Sequence, residues 1–509
     1  MTSHFVLLAQ VREDIPAPTI SYRSLAPVLV VATVALLGVL VEALAPAERR
    51  RVLQVPLAVA GLLGSLVFVA RLWSTTRGTG EIVAEGAVAL DGPTLFMQGT
   101  IAALAVACML LLGERGADTD PDAGPDRDLP TESVPLAMFA VTGMMLMVAA
   151  NNLLVMFVAL EVLSLPLYLL CGLSRRKRVI SQESAVKYFL LGAFSSAFFL
   201  YGLALVYGFA GSVDLGAVAD ASGRLDGNQA FLYSGVALLA VGLLFKVGAV
   251  PFHSWTPDVY QGAPTPVTAL MAAGTKVAAF GALLRVMYVA FGPLQWDWRP
   301  AVWATAILTM LVGAVVAVTQ TDVKRMLAYS SVAHAGFMLT GVAAANVDGL
   351  RGVMFYLLAY GFTVIGSFGV VMLVRDEHGE ATHLSQWQGL GKRSPLVAAT
   401  FAIFLFALAG IPLTSGFIAK LTVFEAAVDG RATPLVVVGV VSSAIAAFFY
   451  ARVVVLMFFQ EPAPDGPEVV VPSGLAAGAL GLSLAVTVLL GVLPGQVLQL
   501  VGEASLFVR

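Results

Sequence analysis

The chain has 509 residues, 59% of them hydrophobic and 12% charged, with a formal net charge of −3. Soluble domains carry about 25% charged residues, so this composition excludes an ordinary soluble enzyme and describes a polytopic membrane protein. The near-zero charge excludes the basic field of a nucleic-acid binder. Cys108 and Cys171 lie in apolar runs without ligand-like spacing, against a disulfide framework or metal centre.

The first residues, MTSHFVLLAQVREDIP, lack the basic start, long apolar stretch and small-residue cleavage site of a signal peptide. Fourteen apolar spans follow, near 24–45, 52–73, 93–113, 133–150, 152–172, 183–210, 229–252, 267–291, 301–320, 324–345, 350–374, 395–428, 433–459 and 473–500. Each approaches the ~20 residues that cross a bilayer core. Between the second and third, EIVAEGAVALDG alternates apolar and polar residues and predicts a short β-hairpin or strand outside the membrane. The loop 114–132 is acidic and contains Pro and Gly, which predicts a solvated insertion.

The odd-to-even loops hold 14 Lys and Arg, including the block SRRKR (Ser174–Arg178), Lys324 and Arg325; the opposite side holds nine. That bias places the odd-to-even loops in the cytoplasm. Six cations remain inside spans: Lys187, Lys246, Lys276, Arg285, Lys420 and Arg452. Glu161 is the carboxylate in the middle of a span, and His334 the histidine.

A lysine inside an apolar span costs roughly 2.5–3.5 kcal/mol even on lenient insertion scales, and such residues usually mark an ion pathway. Two of the lysines accompany helix breaks: Pro251 follows Lys246, and IPLTSGF (Ile411–Phe417) precedes Lys420. A break frees backbone groups that survive in a membrane only where protein or water satisfies them. The chain also repeats itself. VKYFLL (Val186–Leu191) and VMFYLL (Val353–Leu358) are 167 residues apart, Glu161 and His334 are 173 apart, and Lys246 and Lys420 are 174 apart. Five spans per copy is odd, so the second copy is inverted, as in many transporters.

Each buried group has two readings. Glu161 either forms a structural ion pair or tunes the charge of Lys246 or Lys187. Lys187 either belongs to the series or snorkels to the cytoplasmic interface. Lys246, Lys276 and Lys420 are too deep to snorkel easily. Burial changes a lysine's proton affinity by about 4–7 kcal/mol, and moving one charge against ~200 mV costs about 4.6 kcal/mol. A lysine relay driven from outside itself thus has the range to pump protons. His334 either relays protons or packs through hydrogen bonds. His253, in PFHSW, lines an entry path or sits in an exposed loop. Arg285 and Arg452 read as structural. No strand–helix pattern accompanies the glycines, so nucleotide binding is not indicated.

Five stretches carry a family resemblance: LLFKVGAVPFHSWTPDVYQGAPTPVTALM, ALEVLSLPLYLLCGL, ESAVKYFLLGAFSSAFFLYG, DVKRMLAYSSVAHAGFMLTG and LAGIPLTSGFIAKL. The chain resembles, over about residues 20–500, the antiporter-like subunits of respiratory complex I, the proton-pumping NADH:quinone oxidoreductase. HSWTPDVYQGAPTPVTA is most similar to the N-type members, counterparts of mitochondrial subunit two. Ending soon after span fourteen, without the lateral helix of the L-type, and having Lys420 where the M-type has a glutamate, agree with that.

The resemblance implies an all-α polytopic fold of about 14 transmembrane helices, with two inverted five-helix repeats, each holding a broken helix. Its divisions would be an N-terminal three-helix region with the acidic loop (1–132), the first repeat (133–292), the second (293–460) and a C-terminal transmembrane helix (461–509). It implies a half-channel around Glu161, Lys187 and Lys246, a central Lys276, and a second half-channel around His334 and Lys420. It further implies a bacterial inner-membrane location, K-type and M-type membrane-arm neighbours, and an NADH-oxidising arm whose FMN, iron–sulfur clusters and quinone belong to other subunits. This chain itself would carry no cofactor and no metal. Two other functions share these features: a subunit of a multisubunit cation/proton antiporter, and a non-pumping scaffold of the membrane arm.

Overall fold

The computed structural model describes residues 20–76, 78–114, 129–173, 178–225, 227–376, 379–462 and 466–509. Residues 1–19, most of the acidic loop and most of the SRRKR block lie outside the described residues.

Helices α1 (Tyr22–Leu44) and α2 (Ala47–Thr76) lead into the antiparallel hairpin β1 (Glu81–Val83) and β2 (Val88–Leu90), with Glu81 opposite Leu90. The alternation read in EIVAEGAVALDG is this hairpin. There follow α3 (Gly92–Leu112), α4 (Ser133–Ala149), α5 (Leu153–Cys171), α6 (Arg178–Ala210), the short α7 (Leu215–Arg224) and α8 (Gln229–Val247). After α9 (Trp255–Gly262), α10 (Thr265–Leu270) and α11 (Lys276–Arg285) are joined by a π-helical turn, Met271–Thr275, and a second π turn, Val286–Ala290, follows. The chain continues through α12 (Gln295–Thr319), α13 (Val323–Ala344) and α14 (Val347–Leu373). A small sheet comes next, in which β3 (Val374–Asp376) lies between β4 (Gly379–Glu380) and the later β5 (Glu468–Val469). The last helices are α15 (Leu390–Arg393), α16 (Pro395–Ala409), α17 (Ser415–Asp429), α18 (Thr433–Phe459), α19 (Gly474–Val492) and α20 (Gly495–Glu503).

Among the described residues, 12 helices are long and apolar enough to span a bilayer, and α4 and α16 are shorter apolar helices. Three predicted spans differ from the helices: the seventh runs beyond the end of α8 at Val247, the twelfth is cut in two at Gly410, and α4 is shorter than a full crossing. The segment from α10 through the second π turn, together with α13 and α14, forms the buried centre, while α1, α2, α18 and α19 expose much of their surface to the surroundings.

Side-chain oxygens of Ser21, Asp91, Asn152, Asn228, Asp322, Asn346 and Ser473 cap helix N-termini, where the first N–H groups lack partners. At C-termini the same need is met repeatedly by cations. Arg50 Nε donates to Ala45 O at 3.0 Å, Arg299 Nε to Ala343 O at 3.0 Å, Arg375 Nε to Met372 O at 3.0 Å and Arg452 Nη1 to Val318 O at 3.2 Å. Each joins a positive side chain to the negative end of a helix dipole. Several cations read as loop residues, Lys324 and Arg51 among them, lie instead in the first turns of helices, because α13 and α2 begin earlier than their apolar spans.

Two helix crossings depend on glycine. A Cβ on Gly143 would lie 2.3 Å from Leu163 N, and one on Gly313 would lie 2.5 Å from Ala333 N. Replacing Gly143 by valine should therefore separate α4 from α5, at a cost of about 1–3 kcal/mol or more. Gly64→Ala is the control, since its Cβ meets nothing nearer than 3.7 Å. The expected outcome is a lower thermal unfolding midpoint for Gly143→Val and an unchanged one for Gly64→Ala, measured on the solubilised protein.

A row of buried amines as the candidate functional site

Helix α8 stops at Val247 because Gly248 turns into the left-handed region at φ 73°. Lys246, in its last turn, is 3% exposed. Its Nζ lies 5.4 and 5.1 Å from the ring centres of Tyr168 and Tyr188, and donates at 3.4 Å to Tyr188 Oη. Tyr188 is stacked on Trp255, 4.7 Å away, and Trp255 Nε1 donates to Phe245 O at 3.0 Å. No carbonyl or carboxylate lies within hydrogen-bond reach of Lys246 among the described residues. Glu161 is half-buried on α5, and its Oε1 is buried without a partner among the described residues. Neither Lys246 nor Lys187 forms an ion pair with it.

Lys276 begins α11 directly after the first π turn and is 2% exposed. Its Nζ donates to Val247 O at 2.9 Å and Ser331 O at 3.0 Å. The first of these is an orphan carbonyl at the broken end of α8. The Tyr360 ring centre is 6.0 Å from the same amine and 5.0 Å from the His334 ring. His334 is 2% exposed; its Nδ1 pairs with Tyr356 Oη at 2.7 Å and its Nε2 with Tyr450 Oη at 3.4 Å. Tyr450 Oη in turn bonds Ser330 Oγ. Ser331 Oγ and Tyr360 Oη lie close together, each buried and each without hydrogen-bond geometry to a partner among the described residues. Buried hydroxyls in that condition are sites for ordered water.

The second broken helix repeats the arrangement. Helix α16 ends at Gly410, at φ 84°, and α17 resumes at Ser415. Lys420, 5% exposed, donates to Leu408 O at 3.2 Å, Ala409 O at 2.8 Å and Ser443 Oγ at 2.7 Å. The Phe337 ring separates it from His334, with its centre 4.8 Å from the amine and 5.7 Å from the imidazole. Lys246, Lys276, His334 and Lys420 thus form one row: Val247 O, next to Lys246 in sequence, joins the first two, and the Tyr360 and Phe337 rings join the rest.

Lys187 stands apart from that row. It is partly exposed and pairs with Glu183 at 2.6 Å and Asp258 at 2.7 Å. Asp258 also holds Arg325 at 2.7 Å. Asp258 was not among the sequence candidates, and the signal for it was its place in the polar segment after the break. Lys324, assigned to a loop, is 1% exposed and donates to Ala263 O at 2.8 Å and Thr265 Oγ1 at 2.9 Å. His253 lies in the break, half-buried, with Nδ1 unpartnered among the described residues. No cluster of His, Cys, Asp and Glu that could hold a metal occurs among the described residues.

Arg285 is wholly buried and pairs through Nη2 with both oxygens of Asp91, at 2.8 and 2.9 Å. Asp91 sits just outside the span, at the N-cap of α3. Burial alone raises its carboxyl, but the Arg285 charge and hydrogen bonds from Thr94 and the Val508 N–H outweigh this and hold it below the usual carboxylate range. A depressed carboxyl stabilises the fold above its unfolded pKa and loses that contribution as pH falls through the folded one.

A mainly helical multi-pass membrane protein with two broken helices and a row of buried amines belongs to the antiporter-like class of membrane subunits. The family model for "NADH:quinone oxidoreductase/Mrp antiporter, TM" matches residues 150–446. NADH-quinone oxidoreductase subunit N of Parafrankia sp. is 60% identical, over 99% of each chain. A chain of respiratory complex I from Thermus thermophilus superposes with a TM-score of 0.77 at 32% identity, covering 94% of this chain and 100% of that one. A chain of the Mrp complex from Dietzia sp. gives a TM-score of 0.83 at 25% identity, over 96% and 97% of the two chains. The chain belongs to the antiporter-like NADH:quinone oxidoreductase/Mrp family, and within it to the NADH-quinone oxidoreductase subunit N group.

Asp91→Asn should lower the thermal unfolding midpoint by an amount that stays constant from about pH 8 to pH 5 and shrinks below about pH 4. Unfolding scans of both proteins across that range check it.

Proposed function

We propose that this chain is a proton-translocating subunit of the membrane arm of NADH:quinone oxidoreductase, and that Glu161, Lys246, Lys276, His334 and Lys420 carry the proton-transfer roles. The row of buried amines is the observation that carries the reading. A charged amine at bilayer depth is expensive, and its usual purpose is an ion pathway. Electron transfer, with its FMN, iron–sulfur clusters and quinone, belongs to other subunits of the complex. K-type and M-type membrane subunits are the neighbours in this reading.

The members of the row are held differently, and that difference suggests an order of events. Lys276 and Lys420 each donate to helix C-terminal carbonyls. Lys246 has only a tyrosine hydroxyl and two aromatic faces. In this reading Glu161, whose Oε1 has no partner among the described residues, is the anion that tunes Lys246. A proton released from Lys246 would pass to Lys276 and onward through His334 to Lys420, with water at the unpartnered hydroxyls. Lys187 acts at the mouth of this path, through its pair with Asp258.

The two halves, 133–292 and 293–460, are read as inverted repeats. The caps Asn152 and Asp322, the glycines Gly143 and Gly313, and their contacts Leu163 and Ala333 are each 170 residues apart. Both breaks start at a left-handed glycine, Gly248 or Gly410. Fourteen crossings would result if α4 and the α16–α17 pair each pass through the bilayer.

A second reading, a subunit of a multisubunit cation/proton antiporter, is favoured by the backbone likeness to the Dietzia Mrp chain. The much higher identity to subunit N argues for the first.

Lys246→Ala or Lys276→Ala in the assembled complex should reduce NADH-driven proton translocation in vesicles by on the order of tenfold or more. Wild-type translocation by correctly assembled variants would overturn the relay. Cation-dependent proton exchange without NADH would favour the antiporter, and loss of assembly in every lysine variant would favour the scaffold.

A further inference from the structure

Helix α11 is a ten-residue α-helical piece set between two π turns, and every residue of it is buried. It carries a cation at each end. At the inner end Lys276 grips Val247 O and Ser331 O. At the outer end Arg285 grips Asp91 and donates to Thr94 Oγ1 at 2.6 Å. Asp91 is itself immobilised, accepting from Thr94 N at 3.0 Å, Thr94 Oγ1 at 2.7 Å and Val508 N at 3.0 Å. The Phe507 ring covers the guanidinium, with its centre 4.6 Å from Cζ.

This pair is poorly built for stability alone. Arg285 Nε and Nη1 are buried and have no acceptor among the described residues. Orphaned donors destabilise, and a buried ion pair is often no better than an apolar replacement. What such pairs supply in the best-attested cases is register. Register is what α11 lacks from its own backbone. A π turn holds one residue more than the α-helical ladder accommodates, and such turns concentrate at functional sites. Moving the extra residue along the helix would turn the piece by ~100° and shift it by ~1.5 Å. A shift of that size takes the Lys276 amine off Val247 O, the carbonyl next in sequence to Lys246.

We propose that Asp91 and Arg285 are positioning residues for Lys276: they pin the outer end of α11 to α3 and so fix the register that holds the amine on the broken end of α8. The inference rests on the reading of Lys276 as a relay group. The charge is shared with α3 and with the segment bearing Phe507 and Val508, so the pin also ties that segment to the centre of the protein.

The test uses the complete complex in vesicles, with Arg285→Lys, Asp91→Asn and Thr94→Val beside Lys276→Ala. Arg285→Lys keeps the charge but is shorter and lacks the planar guanidinium, so it loses the reach of Nη2 to Asp91 and Thr94 and the stacking under Phe507. Misplacement of a reacting group by about 1 Å costs on the order of a hundredfold in rate. In assembled Arg285→Lys or Asp91→Asn complexes, NADH-driven proton translocation should therefore fall at least tenfold, while NADH oxidation with an artificial acceptor stays unchanged. A density map should show the Lys276 amine displaced from Val247 O, a change that a merely structural pair would not produce. Thr94→Val, which keeps both charges, should give a smaller loss in the same direction and serves if the charge variants fail to assemble. Wild-type translocation with Lys276 unmoved in any assembled variant overturns the proposal. If Lys276→Ala is impaired and the Arg285 and Thr94 variants are not, only this inference fails; if Lys276→Ala is unimpaired, the relay reading fails with it.

Discussion

A helix that ends inside a membrane leaves carbonyl groups with neither a helical partner nor bulk water. That constraint organises this protein. Three such ends lie at or beside the breaks: Val247, Ala263 and the Leu408–Ala409 pair. Each is met by a buried lysine, Lys276, Lys324 and Lys420 respectively. The cost of burying the amine and the cost of stranding the carbonyl offset one another. The broken helices and the buried lysines are therefore not two features that coincide. Each makes the other tolerable, and the arginines at the ends of α1, α12, α13 and α14 extend the same device to the protein's margins.

Against that background Lys246 stands out by what it lacks. Its neighbours are two aromatic faces and one phenol. Lys276 and Lys420 are anchored, and Lys246 is not.

The composition and the spacing of apolar runs made the membrane class legible, and the breaks at Pro251 and Ile411–Phe417 were visible because proline and glycine interrupt otherwise continuous apolar sequence. Lys246, Lys276, His334 and Lys420 were likewise visible, since charge is rare in such runs. The hairpin at 81–90 showed itself by alternation. What escaped were partners. Asp258 and Lys324 lie near helix ends, where charge is common, so composition gives them no prominence. The tyrosines 168, 188, 356, 360 and 450 that surround the row look like ordinary span residues, because their contacts depend on which helices meet. The π turns around α11 leave no mark in the periodicity, as every face of that segment is buried. Lys187, shallow in its span, joins the series only through the family resemblance, and it reaches Asp258 on a helix whose proximity no local pattern announces.

The indole of Trp255 lies across the first break like a splint. It rests on the ring that shields Lys246 and bonds the carbonyl of Phe245, two residues before the interruption. Although the helix is interrupted between Val247 and Trp255, α8 and α9 are fastened through this side chain. Asp258 lies one turn further along α9, so the same short helix carries both the splint and the carboxylate that holds Lys187 and Arg325. The fracture thus behaves less as a hinge than as a jointed lever, stiff along its length and open only where a carbonyl has to face a lysine.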